Sequence, residues 1–201
     1  MKLESSAERG TAMWKARFRL APLSVALITL SVIAGNPVIF TGCSTGEGED
    51  VFEKIDPGVR IYTIDDFRTI GIKTSKQYDV DGLPASLEAW FGFWQPRGPG
   101  PKEYELRFYA SHEDAVRYGQ ALAEEVTGED AVLTVDEATW KVGMRDRRAQ
   151  GGELHTFGTI YPRYGDFVIF GNVVMLCEGL DSGQSLERCS DMIEAIRALD
   201  E

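Results

Sequence analysis

The sequence predicts an α+β domain: an antiparallel sheet built from two hairpins and packed by helices. Three observations carry this. Two pairs of strand-forming runs lie at 89–109 and 167–176, amphipathic helical patterns occupy about 111–127 and 184–199, and a short helical pattern falls near 64–70. Their order is helix, hairpin, helix, hairpin, helix, which favours an antiparallel sheet with helices laid on it.

The first helix is announced by Thr63, which can cap it, and by Asp65 and Asp66 in the first turn at the positive end of the dipole. Ile64, Phe67 and Ile70 then share a face, and Gly71 ends the run. Asp81-Gly82-Leu83-Pro84 reads as a turn. Ala89 to Trp94 and Tyr104 to Tyr109 are rich in aromatic strand formers and are separated by a Pro/Gly-rich stretch over 95–102. Tyr104, Leu106 and Phe108 fall on one strand face, Glu105 and Arg107 on the other, so one side of this hairpin is expected to be buried and one wet.

Ser111 and Asp114 approximate a capping box, and Ala115, Tyr118, Leu122 and Val126 follow at helical spacing. Gly119 lets this helix approach the sheet closely, and Gly128 stops it. Residues 134–140 carry no decisive pattern, and 144–152 read as a basic, glycine-terminated loop. Phe167 to Phe170 and Val173 to Leu176 flank Gly171-Asn172, a pair suited to a tight turn between antiparallel strands. Both strands are apolar throughout, which places this hairpin centrally with both faces covered. At the turn, Asn in place of Gly171 is expected to be tolerated far better than Val, whose β-branch is strained at positive φ. Leu186, Cys189, Ile193, Ile196 and Leu199 give the last helix its apolar stripe.

Residues 1–19 carry Lys2, Arg9, Lys15, Arg17 and Arg19 against Glu4 and Glu8, and Leu20 to Phe40 contains no charge. A basic stretch before an uninterrupted apolar run reads as an export signal whose basic end stays cytoplasmic. The run exceeds the h-region of about 7–15 residues and nears the roughly 20 needed to span a bilayer. Its length therefore leaves a cleaved signal and a retained anchor both open. Pro22 and Asn36-Pro37 weigh against a membrane helix.

Immediately beyond, Phe40-Thr41-Gly42-Cys43 resembles the lipobox of bacterial prolipoproteins. The resemblance implies that Cys43 is acylated, becomes the new N-terminus, and holds the protein to the outside of a cell membrane. Two acyl chains give stable anchorage where one is marginal. The chain then divides into a leader over 1–43, a small acidic tether over 44–54, and a single domain over 55–201.

Residues 44–201 hold 16 Lys and Arg against 30 Asp and Glu, a balance of −14. Such a surface repels nucleic acid and anionic headgroups, so neither is expected as a partner of the domain. Besides Cys43, the cysteines are Cys177 and Cys189, which in an exported domain suggest a disulfide, with two buried thiols as the alternative. Closing that loop would stabilise the fold by roughly 3 kcal/mol. Gly171-Asn172-Val173-Val174, then Cys177, then a helix containing Cys189 resembles extracellular sensor-like lipoprotein domains. That resemblance supports the strand-to-helix bond.

For chemistry the sequence offers little. His112 and His155 are the only histidines, too few for a transition-metal site without a spare cysteine. No phosphate-binding glycine loop or nucleophile elbow is present, so neither a cofactor nor a metal is expected and no catalytic residue is assigned. Adjacent acids such as Asp65-Asp66 and Glu124-Glu125 read as solvated surface in so acidic a domain. Asp79 and Asp81 lack the later glutamate that calcium needs. Two features remain as candidate ligand-binding groups. Trp90 and Trp94 alternate on one strand face and would suit a glycan or apolar ligand, unless loops or the first helix cover them. Arg145, Arg147 and Arg148, with Arg163 nearby, form a basic cluster able to hold a carboxylate or phosphate, the alternative being a solvated loop. The expectation is an envelope-anchored lipoprotein with a non-catalytic domain that binds a ligand or partner. The alternative is a small extracytoplasmic hydrolase using two carboxylates that converge in a cleft, one of them desolvated.

Overall fold

The computed structural model describes residues 52–95, 98–151 and 158–201. The leader with Cys43, the tether up to Val51, and His155 lie outside the described residues. Residues Gly48–Glu201 form one compact unit. Within it the strands are β1 (Ile55–Asp56), β2 (Lys73–Tyr78), β3 (Ser86–Trp94), β4 (Lys102–Tyr109), β5 (Arg148–Gln150), β6 (Ile160–Pro162), β7 (Tyr164–Phe170) and β8 (Val173–Glu178). The helices are α1 (Ile64–Thr69), α2 (His112–Asp114), α3 (Gln120–Glu124) and α4 (Ser182–Arg197), with π-helical turns over Ala115–Gly119 joining α2 to α3. Among these residues no helix is long and apolar enough to cross a membrane.

The fold is α+β, but its six-stranded sheet is mixed, in the order β1-β7-β8-β4-β3-β2. Both hairpins are there: Trp90 faces Leu106 across β3 and β4, and Phe170 faces Val173 across β7 and β8. Two short elements escape the apolar pattern. At one edge β1 runs parallel to β7, pairing Ile55 with Ile169. At the other, β2 adds the polar strand Lys73–Tyr78, with two lysines and a bulge that blunt an open edge. A separate ribbon, β5 with β6, stands apart.

Helices cover both sheet faces. Phe67 of α1 and Cys189, Met192, Ile193 and Ile196 of α4 pack on Leu106, Phe108, Val168 and Met175. On the opposite face Ala115, Ala123 and Val126 pack on Ile169, Val174 and Leu176. Close approach there depends on Gly119, where an added Cβ would lie 2.7 Å from Val174 Cγ2 and 2.8 Å from the Tyr109 hydroxyl. At α1 the Asp66 carboxylate accepts the Thr63 N–H at 2.7 Å, completing the cap.

Cys177 at the end of β8 and Cys189 on the inward face of α4 are disulfide-bonded, with Cα atoms 5.8 Å apart. The Gly171-Asn172 turn also forms, with Gly171 at φ +56°. The Asn172 amide accepts from Tyr62 N–H and donates to the Tyr62 and Tyr109 carbonyls, so it locks the turn to the chain entering α1. A Cβ on Gly171 would fall 2.7 Å from Tyr62 Cδ2, so the expected tolerance of Asn gives way to a steric demand for glycine itself.

The wet face expected for β4 is not wet. Glu105 and Arg107 are fully buried beneath the segment that carries Trp140 and Arg147. Strict alternation marks two different faces, but a face covered by a partnered ion network reads the same as one covered by water.

Candidate functional site

The ribbon β5–β6 stands at the end of the sheet where β4 and β7 begin and β8 finishes, and buried charge fixes it there. Arg147 donates Nε to Glu105 Oε2 at 2.8 Å and Nη2 to Glu105 Oε1 at 2.9 Å, while Arg107 Nε reaches the same Oε1 at 2.7 Å. Arg147 Nη1 also holds the Trp140 carbonyl at 3.2 Å, and its guanidinium lies 4.3 Å from the Trp140 ring. Burial alone would raise the Glu105 carboxyl, but Arg147 and Arg107 outweigh it and keep it below the usual carboxylate range.

From this anchor the neighbouring residues are aimed outward. Asp146 accepts from the Tyr78 hydroxyl at 2.8 Å and from Lys76 Nζ at 2.6 Å, tying the segment to β2. Burial pushes the Tyr78 hydroxyl well above the usual phenol range, with the charges of Glu105 and Asp146 adding to it. Arg163, between β6 and β7, acts as a hub. Its Nε donates to the Asp146 carbonyl at 2.6 Å and its Nη2 to the Arg148 carbonyl at 2.9 Å, and its Nη1 pairs with Glu103 of β4. The Gly179 N–H donates to the Arg163 carbonyl at 3.0 Å, which joins the ribbon to the connection between β8 and α4.

Two grooves flank the ribbon. The larger, about 940 Å³, is mostly apolar and is lined by Gly128, Glu129, Tyr161, Pro162, Leu180 and Ser182 among others. Leu180 is 78% exposed there and supplies an apolar side chain to the groove. The second, about 340 Å³, is basic, lined by Arg145, Arg148, Gln150, Ile160 and Arg163. A narrower cleft of about 110 Å³ shares Tyr161, Pro162 and Leu180 with the first and Ala149 and Arg163 with the second. The apolar groove and the basic groove thus adjoin the same ribbon.

The arginines singled out in the sequence divide. Arg145 and Arg148 line the basic groove together with Arg163, whereas Arg147 is a buried strut. Trp90 and Trp94 lie on the opposite sheet face and are not brought together with the arginines. Both are half-buried beside α1: Trp94 Nε1 donates to the Ile70 carbonyl at 2.9 Å, and Arg68 stacks 5.0 Å from the Trp90 ring. His112 is half-buried at a helix start with Nδ1 2.8 Å from the Gly171 carbonyl, so it braces the hairpin turn. Asp65 pairs with Arg68, Asp66 with Arg60, and Glu125 caps the Thr139 N–H. Among the described residues no group of three or more His, Cys, Asp or Glu is placed to hold a metal ion.

The carboxylates Glu103 and Glu178 escaped the sequence reading. The Glu103 backbone N–H donates to Glu178 Oε2 at 2.9 Å, so the two residues meet where β4 begins and β8 ends. Burial, helped by the charges of Glu178 and Asp146 and opposed by Arg163, raises the Glu103 carboxyl. Glu178 lies 3.7 Å from both Lys102 Nζ and Arg188 Nη1. Only strand pairing brings these positions together.

No curated protein and no solved structure matches this chain. Residues 63–198 match the model of a family of unknown function, DUF6810. That span runs from the cap of α1 to the end of α4 and contains the ribbon, both grooves and the disulfide. The chain belongs to the DUF6810 family.

Proposed function

We propose that this protein is an envelope lipoprotein, held outside the membrane through acylated Cys43, whose domain is a non-catalytic binding module with its binding surface at the β5–β6 ribbon. One observation carries the site: an apolar groove and a basic groove adjoin a single ribbon. A ligand fitting both has an apolar body and an anionic head. The body would lie against Tyr161, Pro162 and Leu180, and the head would meet Arg145 and Arg148. The larger groove falls within the range of about 300–1,000 Å³ common for small-molecule sites. The buried Glu105–Arg147 strut supports the reading, because it sets the arginines on a rigid base rather than a loose loop.

The probe is 1-naphthyl phosphate, titrated by fluorescence into the full-length protein in nanodiscs. Saturable binding is expected, weakened at least about tenfold by Arg145→Glu/Arg148→Glu and by Leu180→Asp. Binding equal in the wild type and both variants would remove the ribbon as the site.

A second reading, a small hydrolase, draws on Glu103 and Glu178, which meet at the same sheet end with one carboxyl raised by burial. Each is engaged by cations, which favours a structural role. Hydrolysis of a phosphate ester or glycoside by the wild type, abolished in Glu103→Gln, would reverse this preference.

A further inference from the structure

The charge network beneath the 134–147 segment does not close on itself. Glu105 spends both oxygens on three N–H groups of Arg107 and Arg147. Among the described residues, Arg107 Nη1 and Nη2, the Tyr109 and Tyr164 hydroxyls, and Trp140 Nε1 are buried without an acceptor. Each of these groups can donate a hydrogen bond, and the arginine and indole nitrogens can do nothing else. Arg107 alone keeps four N–H bonds unanswered in a place where its exposure is nil.

The balance of charge has the same sign as the balance of donors. Among the described residues, one buried carboxylate, Glu105, faces two buried guanidinium groups, Arg107 and Arg147, a net buried charge of +1. Arginine cannot shed its proton to relieve this. The tyrosines cannot supply the missing negative charge either, because burial holds Tyr164 well above the usual phenol range and pushes Tyr109 up to about 12. Water could accept the hydrogen bonds but leaves the charge uncompensated, and uncompensated buried charge is strongly unfavourable.

Arg107, Arg147 and Trp140 lie together, and Tyr109 and Tyr164 share one buried cluster on the sheet face that carries Arg107. The guanidinium carbons of Arg107 and Arg147 are 5.1 and 4.3 Å from the Trp140 ring. Tyr109 follows Arg107 by two residues on the same strand face, where its ring meets Gly119.

We propose that this buried donor cluster of Arg107, Tyr109, Trp140 and Tyr164 is an anion site for a monatomic halide, chloride being the natural probe. A spherical ion accepts from donors arriving in any direction, whereas phosphate or carboxylate would bring several oxygens and substituents into a fully buried region. The site lies on the inner side of the Glu105–Arg147 strut, and filling it would stiffen the base on which the ribbon stands.

The test is thermal unfolding of the full-length protein in non-ionic detergent, in sodium chloride, bromide or gluconate at constant ionic strength. The midpoint should rise saturably with either halide, by at least about 3 °C for a domain of this size, and stay flat in gluconate. Tyr109→Phe and Trp140→Phe keep a ring in place and remove a single donor, and each should cut the halide-dependent shift by half or more. Arg107→Met removes the net charge and should abolish it; if that variant does not fold, the two conservative variants decide. Equal midpoints in halide and gluconate would overturn the proposal. A halide shift unchanged in both conservative variants would place the ion elsewhere and overturn it equally.

Discussion

Replacing Arg147 by methionine tests how the ribbon is held. The change keeps much of the apolar stem and removes three donors: two to Glu105, at 2.8 and 2.9 Å, and one to the Trp140 carbonyl at 3.2 Å. It also removes the cation resting 4.3 Å from the Trp140 ring. Removing one member of a buried ion pair costs about 3–5 kcal/mol, because the remaining charge stays desolvated. Arg107 still holds Glu105 Oε1, which places the expected loss near the lower end, about 3 kcal/mol. Urea unfolding of the full-length protein in detergent, followed by tryptophan fluorescence, measures it. The triple variant Glu105→Leu/Arg107→Leu/Arg147→Met removes every charge together and should lose less than the single change. The pH response has a definite sign. Glu105 sits below its ordinary 4.5 in the fold, so its contribution is complete above that pH and is lost as pH falls through the lower folded value. Arg147→Met raises this carboxyl and should move acid unfolding to higher pH. A loss under about 1 kcal/mol with an unchanged acid midpoint would mean that the network is not what fixes the ribbon.

Cys43→Ala should abolish incorporation of labelled fatty acid, since the other two cysteines, Cys177 and Cys189, are tied in a disulfide; normal labelling would remove the lipobox reading. Thiol alkylation of the unfolded protein without reductant should leave Cys177 and Cys189 unlabelled, and reduction should lower stability by roughly 3 kcal/mol. Full labelling of both would contradict the bond. Gly171→Asn and Gly171→Val should both destabilise by more than about 1 kcal/mol, because any Cβ meets Tyr62 as well as the strain of positive φ. Wild-type thermal stability in Gly171→Asn would show that turn conformation alone selects glycine.

Wherever one side of an element is packed by apolar groups, the sequence was readable. The stripe Leu186, Cys189, Ile193 and Ile196 gave α4 its inward face, and with it the disulfide partner of Cys177. The apolar runs on either side of Gly171-Asn172 gave the central hairpin. Legibility ended where burial is polar or pairing is long-range. Glu105 and Arg107 alternate with Leu106 in the manner of a solvated face, and the segment that covers them, whose Arg147 pairs with Glu105, lies 42 residues away. β2 reads as a polar segment because it is a charged edge. β1 is too short to leave a pattern, and its parallel pairing arises from the chain entering beside β7. Part of the candidate site was visible as the cluster of Arg145, Arg148 and Arg163, and the residue type was informative. Arg147 could not be separated from its neighbours, since nothing in a run of arginines says which one turns inward. The apolar half of the site, Tyr161 and Leu180, joins the ribbon to the α4 connection through a contact between Arg163 and Gly179 that no local spacing encodes.

Whether the ribbon is the binding surface can be read most directly by mapping backbone amide shifts in the isotope-labelled full-length protein as 1-naphthyl phosphate is added. The expected result is a saturable set of shifts confined to Arg145, Arg148, Ala149, Tyr161, Arg163 and Leu180, with Trp90 and Trp94 unmoved on the opposite face. Shifts centred on Trp90 and Trp94, or none at saturating probe, would contradict it.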